Sequence, residues 1–175
     1  MSPRRISAAL CLVGAALIAW GVLANGWWKA RLQTPVVVAD LKIGLVSLTG
    51  CTHDPAGTWR CESADWKELG VPVNAAAWVW SGRLLFGVGL AAAICLALTA
   101  LIAGVPLSLA VPVSPPRLAL AFGGAALVLV GLYRLTTPEV IAMLLKGGRA
   151  WWLTLGGLAV GGYGAWRELS PPDDD

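Results

Sequence analysis

Cys51, His53, Asp54 and Cys61, the side chains best suited to chemistry, fall within one short polar stretch. The two thiols flank the turn-forming run Asp54, Pro55, Ala56 and Gly57, and they would face each other if the segments on either side paired as strands. Three chemistries are open to such a pair: a disulfide, a metal site, or two free thiols. The disulfide is the favoured reading, and it places the stretch in an oxidising compartment outside the cytoplasm. A structural zinc takes four ligands, and His53 is the only histidine in the chain. Catalysis by the adjacent His53 and Asp54 lacks support, because the chain carries no G-x-S-x-G, no phosphate-cradling loop and no H-E-x-x-H. The expectation is a protein that is not an enzyme, with no catalytic residues, no cofactor, no metal and no nucleic-acid partner.

Hydropathy defines the elements that must position these residues. Of the 175 residues 57% are hydrophobic and 13% charged, too little polar surface to enclose that apolar content in water. Charges are absent between Arg5 and Lys29, between Arg83 and Arg117, between Arg117 and Arg134, and between Arg149 and Arg167. About 20 helical residues cross a hydrocarbon core of about 30 Å. The gaps therefore predict four spans, at residues 6–24, 78–103, 113–133 and 150–166. The third begins among Pro112, Pro115 and Pro116, residues that suit a helix start. The fourth is rich in glycine, and Gly157 with Gly161 forms a small-xxx-small face for close helix packing, inside its own bundle in preference to a dimer. Arg4 and Arg5 ahead of an apolar run that ends in Val22, Leu23 and Ala24 also describe a signal peptide, but the length of the run favours a retained helix.

Seven of the ten tryptophans, at positions 27, 28, 78, 80, 151, 152 and 166, fall at span ends, where an amphipathic ring is expected at headgroup level. The first connection, residues 25–77, is too long to be left without structure. Strands are expected over residues 36–39, 42–49 and 58–62, the last two paired about the Asp54 to Gly57 turn. A short helix is expected from Ser63 to Leu69, with Ser63 as its N-cap and Gly70 and Pro72 as its stop. Leu45, Val46 and Trp59 are the expected hydrophobic floor of this sheet, and Trp28 its seal at the membrane surface. Residues 104–112 form a short connection, and 134–149 a second outer loop with an amphipathic segment after Pro138. The ends, 1–5 and 167–175, share the cytoplasmic side, the latter as a disordered acidic tail. Arg83, at the start of the second span, is expected to snorkel to the interface or bond to the loop.

These residues resemble the claudin and peripheral myelin protein superfamily. The features are a Trp after the first span (Trp28), a Gly-Leu element in the following loop (Gly44, Leu45), two nearby cysteines (Cys51, Cys61) and an Arg early in the second span (Arg83). Val46 stands where the family has a second Trp, and the acidic Asp173, Asp174 and Asp175 replace the apolar C-terminal peptide by which many claudins engage scaffold domains. The Ala-, Leu- and Gly-rich composition points to a GC-rich bacterial source. The resemblance implies an all-α four-helix transmembrane bundle carrying a small extracellular antiparallel β-sheet in the first loop. It further implies lateral assembly or adhesion through that sheet. The alternative is an accessory subunit that binds and regulates another membrane protein such as a channel or transporter. The expected partners are membrane lipids and either a second copy or another integral membrane protein. Basic and acidic residues of the first loop balance, so no ion-selective field is expected.

Overall fold

The computed structural model describes residues 3–33, 38–53, 58–65, 75–104, 114–139 and 146–170. Four helices are found among these residues: α1 (Pro3–Leu23), α2 (Ala76–Gly104), α3 (Pro115–Leu135) and α4 (Arg149–Leu169). The first three are long and apolar enough to cross a membrane. At 21 residues α4 has the same length as α1 and α3, about 31 Å at the α-helical rise. Glycine and ring-polar aromatics dilute its apolar character. Pro115 opens α3 and Pro116 follows it, directly after Ser114, where the missing amide hydrogens cost the helix nothing.

Between α1 and α2 the chain forms a meander of β1 (Trp28–Gln33), β2 (Val38–Ile43), β3 (Ser47–His53) and β4 (Trp59–Asp65). A two-residue strand ahead of α4, β5 (Lys146–Gly147), joins the free side of β1 and gives the antiparallel order β4-β3-β2-β1-β5. The second outer loop thus completes the sheet of the first. The expected single strand over 42–49 is broken by a turn at Gly44–Val46, closed by the Gly44 amide donating to the Ser47 carbonyl at 2.8 Å. The expected helix from Ser63 is also overturned, because Ser63, Ala64 and Asp65 continue β4 in register with β3. Pairing with an existing strand outweighs the weak local preference of a Ser N-cap. The Asp54 to Gly57 turn, Val36 and Val37, the remainder of the expected helix, the segment 140–145 and the acidic tail lie outside the described residues.

Alternation along the strands decides which face of the sheet meets the bundle. Trp28, Ala30, Leu41, Ile43 and Leu48 belong to the face that packs on the hydrophobic core. Lys29, Arg31, Asp40, Lys42, Thr49 and Cys51 belong to the other. The bundle is a ring in which α1 contacts α2 and α4, and α3 closes the circuit.

The tightest crossing is antiparallel, between α1 and α4. Its residues repeat at alternating four- and three-residue steps on both helices: Ser7, Cys11, Gly14, Ile18 and Gly21 on α1, and Ala150, Thr154, Gly157, Gly161 and Gly164 on α4, all buried. That 3.5-residue period describes a left-handed, near-aligned crossing. A Cβ on Gly157 would lie 2.8 Å from the Ile18 amide nitrogen and 2.9 Å from the Gly14 carbonyl oxygen, and one on Gly164 would lie 3.0 Å from Cys11 Sγ. Only glycine permits this approach, and van der Waals contact of this kind is what holds helices together in lipid.

Candidate functional site

The sheet carries the chemistry expected of it. Cys51 and Cys61 form a disulfide at directly opposed positions of β3 and β4. Their Cα atoms are 4.1 Å apart, the close spacing of a non-hydrogen-bonded antiparallel pair. His53 and Trp59 close the described part of the hairpin with ring centroids 4.9 Å apart. Leu45 and Val46 sit at the opposite end of β3 from the bridge, so they do not form a floor beneath it. Leu45 instead plugs the bundle: it is fully buried, and a Cβ on Gly82 of α2 would lie 2.8 Å from its carbonyl oxygen. Asn25, just beyond α1, pins the same turn. It accepts from the Ser47 hydroxyl at 2.8 Å and donates through Nδ2 to Thr49 Oγ1 at 3.2 Å. A Thr49 to Ser63 hydroxyl contact of 3.1 Å extends the chain of bonds to β4.

Beneath the sheet lies a collar of five rings. Trp27 meets Tyr133 edge-on at 5.7 Å and Trp151 at 4.9 Å; Trp28 meets Trp151 at 5.7 Å; Trp78 stacks on Tyr133 at 5.4 Å. Trp27, Trp28 and Trp78 are buried. These three rings lie in the core that the sheet covers, Trp28 at the base of the sheet where the sequence places it. Trp27 Nε1 donates to the Gly21 carbonyl at 2.9 Å, satisfying its polar edge. Trp80, Trp152 and Trp166 are exposed, as an interfacial ring should be.

Of the residues that carry the resemblance, Trp28, Gly44 and Leu45 meet at the junction of sheet and bundle, and Arg83 does not join them. The Arg83 guanidinium lies 5.5 Å from the centre of the exposed Trp80 ring on its own helix. The cation over Trp28 is Arg134 of α3, at 4.8 Å. Arg134 and Trp151 were not singled out from the sequence as members of one site, since each is separated from Trp28 by more than a hundred residues. They line a cavity of about 390 Å³ together with Trp28, Gly148 and Leu155.

A second, larger groove of about 770 Å³ runs where α1 and α4 meet the sheet, and Lys29, Lys42, Arg149, Trp20 and Trp152 line it. Among the described residues no three or more His, Cys, Asp or Glu side chains gather as a metal site would require. The free thiols Cys11 and Cys95 are buried inside the bundle. No family model matches this sequence, and no curated protein matches it.

Proposed function

We propose that this protein is a non-enzymatic, claudin-like, four-span membrane protein that assembles laterally through its disulfide-braced sheet. In this reading both termini are cytoplasmic and the sheet lies outside. The observation that carries it is β4. Six of its seven residues are exposed, so the strand projects past the helices that cover the other end of the sheet. Among the described residues nothing pairs with its outer edge. An open edge strand is a template for a strand of another chain, and the Cys51–Cys61 bridge holds this one rigid against β3.

A second copy fits the edge by charge. Antiparallel pairing of two β4 strands about Cys61 sets Arg60 of each chain opposite Glu62 of the other, a favourable cross-strand pair made twice. Mass measurement of the protein in mild detergent tests this. The expected result is a dimer, dissociated by Arg60→Glu and restored by Arg60→Glu combined with Glu62→Arg. A wild-type protein that is monomeric both in detergent and in lipid nanodiscs overturns it.

The accessory-subunit reading rests on a different surface. α3 is the least buried of the three most apolar helices. A groove of about 340 Å³ between α3 and α4 is lined by Ala119, Gly123, Gly124, Leu127, Leu158 and Gly162, small enough at its base to seat a helix from an unrelated membrane protein. Co-purification of such a protein at equal stoichiometry is the outcome that selects this reading.

A further inference from the structure

The sheet places three lysines in a row. Lys29 of β1 is directly opposite Lys42 of β2 on one side and Lys146 of β5 on the other. Like charges at directly opposed positions destabilise a sheet, and among the described residues no acid stands directly opposite a member of the row. The nearest acid on β2, Asp40, is paired with Arg31 at 3.7 Å. Arg149 at the start of α4 adds a further cation, and with Lys29 and Lys42 it lines the 770 Å³ groove. Among the described residues no carboxylate lines that groove. Its other wall is apolar: Leu17 and Trp20 from α1, Trp152 and Leu153 from α4. Trp20 and Trp152 are 71% and 77% exposed, which leaves two indole rings standing open on either side of the α1–α4 seam. Cations above, exposed indoles at the middle and aliphatic side chains below follow the order of layers in one leaflet, from headgroup to acyl chain.

We propose that this groove is a binding site for an anionic phospholipid of the leaflet on the sheet side. Lys29, Lys42 and Arg149 hold the phosphate, and Trp20, Trp152 and Leu17 bed the upper acyl chain. The bound phosphate supplies the counter-charge that the lysine row lacks. The inference rests on the bundle crossing a bilayer with the sheet at one face, and it does not depend on pairing through β4.

Native mass spectrometry of the full-length protein from micelles holding equal amounts of phosphatidylglycerol and phosphatidylcholine reads the retained lipid directly. The expected result, read on the monomer mass, is about tenfold or greater preference for phosphatidylglycerol. Lys29→Gln, Lys42→Gln and Arg149→Gln together abolish the preference, whereas Arg5→Gln, Arg117→Gln and Arg167→Gln together, which remove the same charge at the other end of the bundle, leave it intact. A second measurement stands apart from the folding of any variant: phosphatidylglycerol brominated near the headgroup end of its acyl chains quenches wild-type tryptophan emission more strongly than the matching phosphatidylcholine. Equal retention or equal quenching of the two lipids overturns the proposal, as does a preference that survives the triple substitution in the groove. Retention of inorganic phosphate with no preference between the lipids assigns the cations to a free anion and also overturns it.

Discussion

Trp151 meets three rings of the collar, Trp27, Trp28 and Tyr133, within 6.0 Å. Its removal leaves a hole where several segments converge, because the rings it contacts come from the connection between α1 and β1, from β1 and from α3. Trp151→Ala is expected to cost about 3 kcal/mol or more, seen as a fall of about 6 to 12 °C in the thermal midpoint in detergent. Trp152→Ala, one residue on, replaces a ring that is 77% exposed and is expected to leave the midpoint within about 2 °C. The disulfide acts at the same scale on a different part. Closing the short loop between Cys51 and Cys61 stabilises the hairpin by about 3 kcal/mol on the loop-entropy model. Cys51→Ser is therefore expected to raise amide exchange in β3 and β4 by about a hundredfold while exchange in the four helices is unchanged. Uniform exchange across wild type and variant would remove the bridge from the account of the sheet.

At the scale of elements, the α1–α4 seam separates two neighbouring glycines sharply. A Cβ on Gly157 runs into the backbone of α1, while a Cβ on Gly156 meets nothing within 4 Å. Gly157→Ala is expected to push the helices apart and destabilise the protein by about 1 to 3 kcal/mol. Gly156→Ala is expected to be neutral or slightly stabilising, since alanine is the better helix former. Thermal midpoints of the two variants, measured side by side, decide it. If they match, the close approach of α1 and α4 is not what the glycines provide. The heptad spacing of small residues on both helices is visible in the residues themselves once the two helices are known to be neighbours. Gly157 and Gly161, read from the sequence as packing inside the bundle in preference to a dimer, do so against α1.

For the whole molecule, the sheet, the starts of α2 and α4 and the ends of α1 and α3 share one side, which leaves Arg4, Arg5, Arg117 and Arg167 at the other. Basic residues are more numerous on the sheet side, against the usual bias toward the cytoplasm. The disulfide nevertheless favours an outside sheet. A groove that recruits Lys29, Lys42 and Arg149 for an anionic lipid gives several of those charges a local role that does not report topology. A reporter that is active only outside the cytoplasm, fused after Asp175, is expected to be silent, and the same reporter inserted after His53 to be active. The reverse pattern would place the sheet in the cytoplasm and leave the disulfide without an oxidising compartment.

The sequence alone determined that the chain carries helices long and apolar enough to cross a bilayer, because that property depends on long charge-free runs that need no tertiary partner to be recognised. It placed α1, α2 and α3 to within a few residues, and it marked Cys51 and Cys61 as a pair, since two thiols flanking a turn need only a hairpin to meet. Tertiary structure decided everything that depends on contacts between distant segments. Ser63 could cap a helix by local preference, yet the free edge of β3 drew it into β4. Lys146 and Gly147 carry no strand signal of their own and become β5 only because β1 offers a ladder to complete. Trp27 and Trp78 read as interfacial rings until the sheet folds over them. Arg134 reaches Trp28, and Lys42 and Lys146 flank Lys29, by strand register and helix packing that no local pattern encodes, because each partner lies on a different element and only the assembled core fixes the distance between them.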